Sequence, residues 1–456
     1  MVVSLFYIQL HIIFMKVLSL FANVGFGEFE LIQNGFNVVV ANELLDDRVD
    51  FYKKLHPQTK EVIAGDISQP KVKECIVNAA HKFGPIDIII ATPPCQGMSL
   101  ANAKKASNDP RNTLIVHAME VFLKTEAKYM LIENVPNMPE TYINHEEYGS
   151  IKIADYIKKS IPENFQCHTK VLNGKHFNTP QERKRSITLI SQNRRWDFPD
   201  ENLELQTLKS AIGHLPSLEA NCSSPLKWHF SSKHNERHVD WMKHTASGNG
   251  AYFNALKHYP CCIIENDSPD TIKELIKNGS VGWHTNPPIL IDSEGVESKA
   301  KVTSLNSNGV VKLFAEIPPK HSLRREIYGF TTAYKRMSWN KPAPTVTMTN
   351  GSISSQNNVH PGCLIQPDGI FSDARALTVR EILLLCGLSA DALDSFAHNL
   401  NAYPDKKFKF KSGIYGYDYH PSFIRKVLGE LFLPKMASAI LNTLHQHQGK
   451  QLTLDI

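Results

Sequence analysis

The sequence predicts an α/β protein: a mostly parallel sheet with helices on both faces, interrupted by a smaller inserted domain. Three observations carry that expectation. Apolar runs at residues 17–21, 36–41, 86–91 and 129–132 are nearly continuous, as in strands buried on both faces. Helical patterns separate these runs. Regular patterning fades over residues 196–340, where Asn, Ser, His and Pro become frequent, and then returns.

In chain order, residues 17–21 form the first strand and lead into a Gly-containing turn. Residues 28–34 read as a helix with Gly35 at its end. The second strand, 36–41, ends at Asn42-Glu43. Residues 62–64 lead to Gly65-Asp66, and 71–82 are helical. The strand at 86–91 runs into Thr92-Pro93-Pro94-Cys95-Gln96. A helix at 113–125 precedes the strand 129–132, which ends at Glu133-Asn134-Val135. After the insert, patterning resumes at 342–348 and 377–388, and 423–444 closes the chain as a helical region. The expected organisation is one α/β domain made of 15–195 and 341–456, with 196–340 inserted. No internal repeat or low-complexity tract is present.

The chain has 456 residues, 42% hydrophobic and 21% charged, which suits a soluble protein with a sizeable core. A net charge of +5 fits a nucleic-acid partner but is too small to establish one. The eight cysteines include no C-x-x-C pair, so no metal is expected, although Cys261-Cys262 has histidines nearby. A chain this long needs no disulfides, and a reducing, cytoplasmic setting is expected. Residues 1–14 are apolar but lack a basic leader and a cleavage site, so they do not read as a signal peptide. Lys16 interrupts what would otherwise approach a membrane span. Met15 reads as the true start, with 1–14 an artefact of start assignment or a disordered extension, and no membrane anchor.

In an open α/β sheet, ligands bind at the carboxyl ends of the strands. Glu43, Asp66, Cys95 and Glu133 should therefore meet on one rim. Two prolines stiffen the approach to Cys95, as a nucleophilic thiol requires. Glu133 at the mouth of a buried strand should be desolvated and act as a proton donor near neutral pH. Gln181, Arg183 and Arg185 share one face of an extended segment, suited to holding a carbonyl or an anion. The loop Phe21-Ala22-Asn23-Val24-Gly25-Phe26-Gly27 lets backbone approach a ligand. Glu43 can bond a ribose hydroxyl, and Asp66 an adenine amino group. Read singly, each has a plainer meaning: a structural cysteine, a solvated strand-end acid, a charged edge, a loop carboxylate.

Together and in this order, these residues resemble the DNA cytosine-5 methyltransferase family, over nearly the whole chain from Met15. Asp109 to Leu114, Arg375-Ala376-Leu377-Thr378-Val379-Arg380-Glu381, and Val427-Leu428-Gly429-Glu430 with Pro434 fit further family segments. The resemblance implies a Rossmann-like S-adenosylmethionine-dependent methyltransferase domain with an inserted target-recognition domain. It implies S-adenosylmethionine as cofactor, held by Phe21, Asn23, Gly25, Glu43, Asp66, Ile67, Pro93 and Gly429, and no metal. It implies catalysis by Cys95 and Glu133, with Arg183 and Arg185 holding the cytosine carbonyl and a nearby phosphate. The segment 97–111 would be a lid.

Lys320, Arg324, Arg325, Lys335 and Arg336, in the basic stretch 312–341, would supply phosphate contacts, although each read singly could equally be part of a solvated face. The implied partners are double-stranded DNA and a separately acting restriction endonuclease, with the chain a monomer. Several positions depart from the common pattern: Asn23 for a glycine, Ser19 for an acid, Leu44 for an aromatic, and Glu430 and Leu433 for Asn and Pro. Each touches cofactor affinity. A tRNA-methylating branch shares the motifs but has a small recognition region, so the large insert favours DNA. Intact Cys95, Glu133 and Arg183 disfavour a non-enzymatic regulator.

Overall fold

A computed structural model describes residues 14–94, 110–251, 289–291, 294, 297–299, 302–307, 310–315, 322–324, 333–366, 369–388 and 421–452. Cys95, most of the expected lid, Cys261, Cys262, Lys320 and Arg325 lie outside the described residues, as do residues 1–13. The chain divides into two compact units. One comprises Met1–Ile212, Pro342–Met348 and Ile382–Ile456; the other comprises Gly213–Lys341 and Thr349–Glu381.

The first unit holds β1 (Met15–Leu20), β2 (Phe36–Glu43), α1 (Asp46–Leu55), β3 (Glu61–Ala64), α2 (Pro70–Lys82), β4 (Ile88–Ala91), α3 (Leu114–Thr125) and β5 (Tyr129–Asn134). A hairpin of β6 (Tyr142–His145) and β7 (Gly149–Lys152) follows, then α4 (Ile153–Ser160), β8 (Phe165–Asn173), β9 (Gln181–Glu182) and β10 (Lys184–Gln192). Seven strands form the sheet in the order β3-β2-β1-β4-β5-β10-β8. The first five run parallel, while β10 pairs antiparallel with both β5 and β8.

Central residues such as Leu18, Leu20, Ile88, Ile89, Met130 and Leu131 are fully buried, which accounts for the continuous apolar runs. The order reverses between β1 and β4, so the crevice opens where those two strands end.

The helix expected at 28–34 is instead a pair of short 3-10 turns, Phe26–Glu28 and Ile32–Asn34. Left-handed Gly25 and Gly35 bound the segment, each turning the chain out of a continuous right-handed helix. The helices Pro421–Glu430 and Pro434–Leu452 close the unit, burying Ile424, Val427, Leu428, Leu433, Met436 and Ile440.

The second unit packs around Met242, Ile353, Val359 and Ala374. Its centre is a buried charge network. Arg375 donates to both oxygens of Glu381 and to Asp373, each at 2.8 Å. His360 faces the same two acids, and burial pushes its imidazole down to about 4. These contacts place 375–381 in this unit rather than with the returning α/β domain. Arg336 is fully buried and donates to the carbonyls of Met242, His360, Ser372 and Asp373. It is a structural member of the unit and not a phosphate contact. Its carbonyl partners satisfy its donors inside the protein, and burial lowers its basicity to about 10.

Candidate active site

The crevice is tied across the strand reversal. The Thr92 hydroxyl donates to the Phe21 carbonyl at 3.0 Å, and the Ala22 N–H donates to Asn42 O at 2.9 Å. The loop after β1 turns through three left-handed residues: Phe21 (φ 58), Asn23 (φ 53) and Gly25 (φ 79). Asparagine is one of the few side-chain-bearing residues at ease there, so Asn23 can replace the usual glycine without breaking the turn. Its N–H donates to Glu43 Oε2 at 2.9 Å. Its amide oxygen is buried without a hydrogen-bond partner, and Asn23 lines a cleft with Ala22, Phe26, Gly27, Thr92, Glu430, Leu431 and Phe432.

Glu43 ends β2 and also accepts from the Leu45 N–H at 3.2 Å. Burial raises its pKa; the Arg48 charge and the backbone donors work against that shift. Asn42 fixes the next loop by donating to the carbonyls of Ile63 and Gly65, at 3.0 and 3.1 Å. That brings Asp66 and buried Ile67 to the same rim as Glu43. Asp66 caps the turn before α2 through Ser68 N–H, at 2.9 Å. Leu44, where an aromatic is usual, is exposed beside Glu43 and offers an apolar ledge.

Behind the loop, Ser19 and Tyr52 both donate to the buried Glu28 carboxyl, and burial raises that acid to about 7. The hydroxyl at position 19 thus pairs with an acid at position 28. His56 donates Nε2–H to the Gly25 carbonyl at 2.8 Å, and burial holds its ring near 4. The loop is therefore carried by buried polar groups that are hydrogen-bonded to one another.

Across the crevice, Glu133 stands at the penultimate position of β5 and is buried. Arg185 Nε lies 2.7 Å from its Oε1. Burial is the largest influence and raises the Glu133 pKa; Arg185 and then Arg183 oppose it. The Asn134 amide donates to Pro93 O at 2.9 Å, and its oxygen accepts from Val135 N–H at 2.8 Å. Asn134 therefore binds the strand end that carries Glu133 to the proline turn immediately before Cys95. Buried Pro93 joins this edge to the loop after β1 through neighbouring Thr92.

The two arginines divide their work. Arg183, 1% exposed, donates to the carbonyls of Val346, Gly429 and Leu431 at 3.1, 3.1 and 2.8 Å. Arg185, not Arg183, is the one that reaches Glu133. Gly429 has a packing duty as well. A Cβ there would fall 2.4 Å from Met348 N and 2.5 Å from Thr347 C. Gly429→Ala should lower the melting midpoint by several degrees, because a backbone contact cannot give way as a side chain can. A thermal melt matching the wild type would disprove this.

Three site residues were missed by reading the sequence as strands and motifs. Asn134 lay within a quoted motif without a role. Arg48 and Asn42 carried no signal, since a helix-borne arginine and a strand-end amide are common.

Known proteins bear on this arrangement. The profile of the family described as C-5 cytosine-specific DNA methylase matches residues 15–403. Type II methyltransferase M1.HgaI of Avibacterium volantium is 33% identical over 378 residues, covering 81% of this chain and 87% of that protein. Type II methyltransferase M1.HphI of Haemophilus parahaemolyticus is 25% identical, over 51% of this chain and 61% of that protein. Among solved structures, a protein described as a prophage-encoded DNA modification methyltransferase (E. coli) shares the fold. Its TM-score is 0.55 at 16% identity, covering 95% of this chain and 99% of that one. With the site geometry in place and most of its length matched by the family profile, the chain belongs to the C-5 cytosine-specific DNA methylase family.

Proposed function

We propose that the protein methylates carbon 5 of cytosine within a short duplex sequence, through a covalent Cys95 adduct on a flipped base, and so protects DNA from a cognate restriction endonuclease. The observation that carries this reading is the Glu133–Arg185 pair, fastened by Asn134 to the turn before Cys95. A proton-donating acid and the approach to a thiol share one rim.

The cleft residues fit S-adenosylmethionine. Glu43 accepts at the end of β2, Asp66 stands on the adjacent loop, the Asn23 amide oxygen is an unsatisfied acceptor, and the glycine-bearing loop exposes backbone. When bound, the cofactor supplies an electrophilic methyl group. Phe21, Asn23, Gly25, Glu43, Asp66, Ile67 and Pro93 would hold it, with Gly429 keeping the wall behind it in place.

Flipping the base costs about a few kcal/mol of stacking and brings cytosine to the protein groups. Cys95, as thiolate, adds to carbon 6. Glu133 donates to ring N3, drawing electron density from carbon 6 and offsetting the charge that develops. Arg185 orients Glu133 and faces the cytosine carbonyl. After carbon 5 gains the methyl group, loss of its proton expels Cys95. Sequence choice would lie in the second unit, facing the major groove.

The test is base-resolution sequencing of 5-methylcytosine in a plasmid from a host without cytosine methylation. Cys95→Ala should abolish methylation and leave DNA binding largely intact. Methylation at one motif, absent in that variant, supports the reading. Residual transfer in Cys95→Ala overturns the covalent mechanism. An unmethylated plasmid beside methylated tRNA would overturn DNA as substrate.

A further inference from the structure

Glu430 stands on the cleft wall where the family more often has asparagine, and the structure shows what accompanies the change. Glu430 Oε2 lies 2.6 Å from Arg48 Nη2. The two side chains are only 18% and 12% exposed, so water screens the pair far less than it would a surface contact. Arg48 rides in the first turn of α1, just after Glu43 ends β2, and is the charge that chiefly counters burial at Glu43. Arg48 thus pairs with Glu430 on the cleft wall while its charge also favours the ionised form of Glu43 at the end of β2. Between them runs Asn23, whose N–H donates to Glu43 and whose amide lies 3.5 Å from Val427 O on the Glu430 helix. Polar contacts thus link Glu43 to Asn23, Asn23 to the Pro421–Glu430 helix, and Glu430 to Arg48, beside the cleft that Asn23 and Glu430 line.

We propose that Arg48 and Glu430 act as a clasp that fixes the width and charge of the cofactor cleft, making both positioning residues for S-adenosylmethionine. The proposal rests on the cofactor reading given above. Without Arg48, two carboxylates would face one another across the mouth. They would repel each other and also the amino-acid carboxylate of the cofactor. Without Glu430, Arg48 still has Glu43, so the loss is smaller.

The experiment is a double-mutant cycle with Arg48→Met, Glu430→Gln and the pair together. It reads the dissociation constant of S-adenosylhomocysteine by calorimetry, the cofactor KM and kcat, and the thermal midpoint. Arg48→Met should weaken binding about tenfold or more and Glu430→Gln about threefold, a coupling expected of residues in contact. Adding Glu430→Gln to Arg48→Met should recover most of the loss, because it removes one of the unpaired acids. KM should rise with kcat at saturation held within about twofold. Additive losses, an unchanged dissociation constant, or a lowered melting midpoint without weaker binding would each overturn the clasp. Failure of the wild-type protein to bind S-adenosylhomocysteine would instead overturn the cofactor reading.

Discussion

Replacing Glu133 by glutamine lowers methyl transfer by about a hundred- to ten-thousandfold, the range typical of a lost general acid, while duplex DNA binding persists. The substitution keeps the shape at the end of β5 but removes the proton that Glu133 donates and the charge that Arg185 faces. The pH dependence gives a second readout. Burial keeps Glu133 protonated to higher pH than an ordinary carboxyl, with Arg185 and Arg183 limiting the shift. Activity that needs its protonated form is present below that raised pKa and falls as pH rises through it. The alkaline limb of the single-turnover rate should therefore be absent from Glu133→Gln. If the variant turned over within about threefold of wild type, Glu133 would not be the acid.

Methionine at position 183 and methionine at position 185 should fail in different ways. Arg183→Met strips donors from the buried carbonyls of Val346 and Leu431 and from the part-buried carbonyl of Gly429. Each buried group left unsatisfied costs about 1–3 kcal/mol. The sum is a large share of the roughly 5–15 kcal/mol that holds a domain together. The expected result is poor soluble yield, or a melting midpoint lowered by about ten degrees or more. Arg185→Met should fold, since besides the Glu133 carboxyl Arg185 meets only the exposed carbonyl of its neighbour Lys184 among the described contacts. Its turnover should fall about a hundredfold or more, as when one preorganised donor is removed from a site. An Arg183→Met protein that melts like wild type yet is inactive would reverse these assignments.

The parallel half of the sheet was legible because its strands are buried on both faces, and continuous runs such as Ile88–Ala91 have few other uses. The antiparallel strands were harder. In β8 most side chains from Phe165 to Val171 remain partly exposed, so the apolar signal is diluted by Gln166, Thr169 and Lys170. Helix α1 begins with Asp46 and Asp47 and carries only a narrow buried stripe, Val49, Phe51, Tyr52 and Leu55, which pattern reading passed over. The rim acids were foreseeable from strand ends alone. The division of labour between Arg183 and Arg185 was not, because alternation puts both on one face and cannot say which meets a carbonyl. Arg336 misled for the same reason: composition records a positive charge but not the four carbonyls around it.

The contacts between early and late parts of the first unit bear on how the protein comes into being during translation. The Asn34 side chain bonds Ser438 at 2.9 Å, its carbonyl meets the His445 ring at 2.7 Å, and Phe36 packs on His445. Arg48 and Arg183 likewise wait for residues beyond 428. At roughly 5–20 residues per second, β1 and β2 leave the ribosome tens of seconds before the helices that cover them. Through that interval the nascent chain must keep an apolar face uncovered, a natural client for chaperones. Because Glu430, Leu431 and Phe432 line the cleft, chains released before residue 421 should have no methylating capacity, rather than a fraction of it.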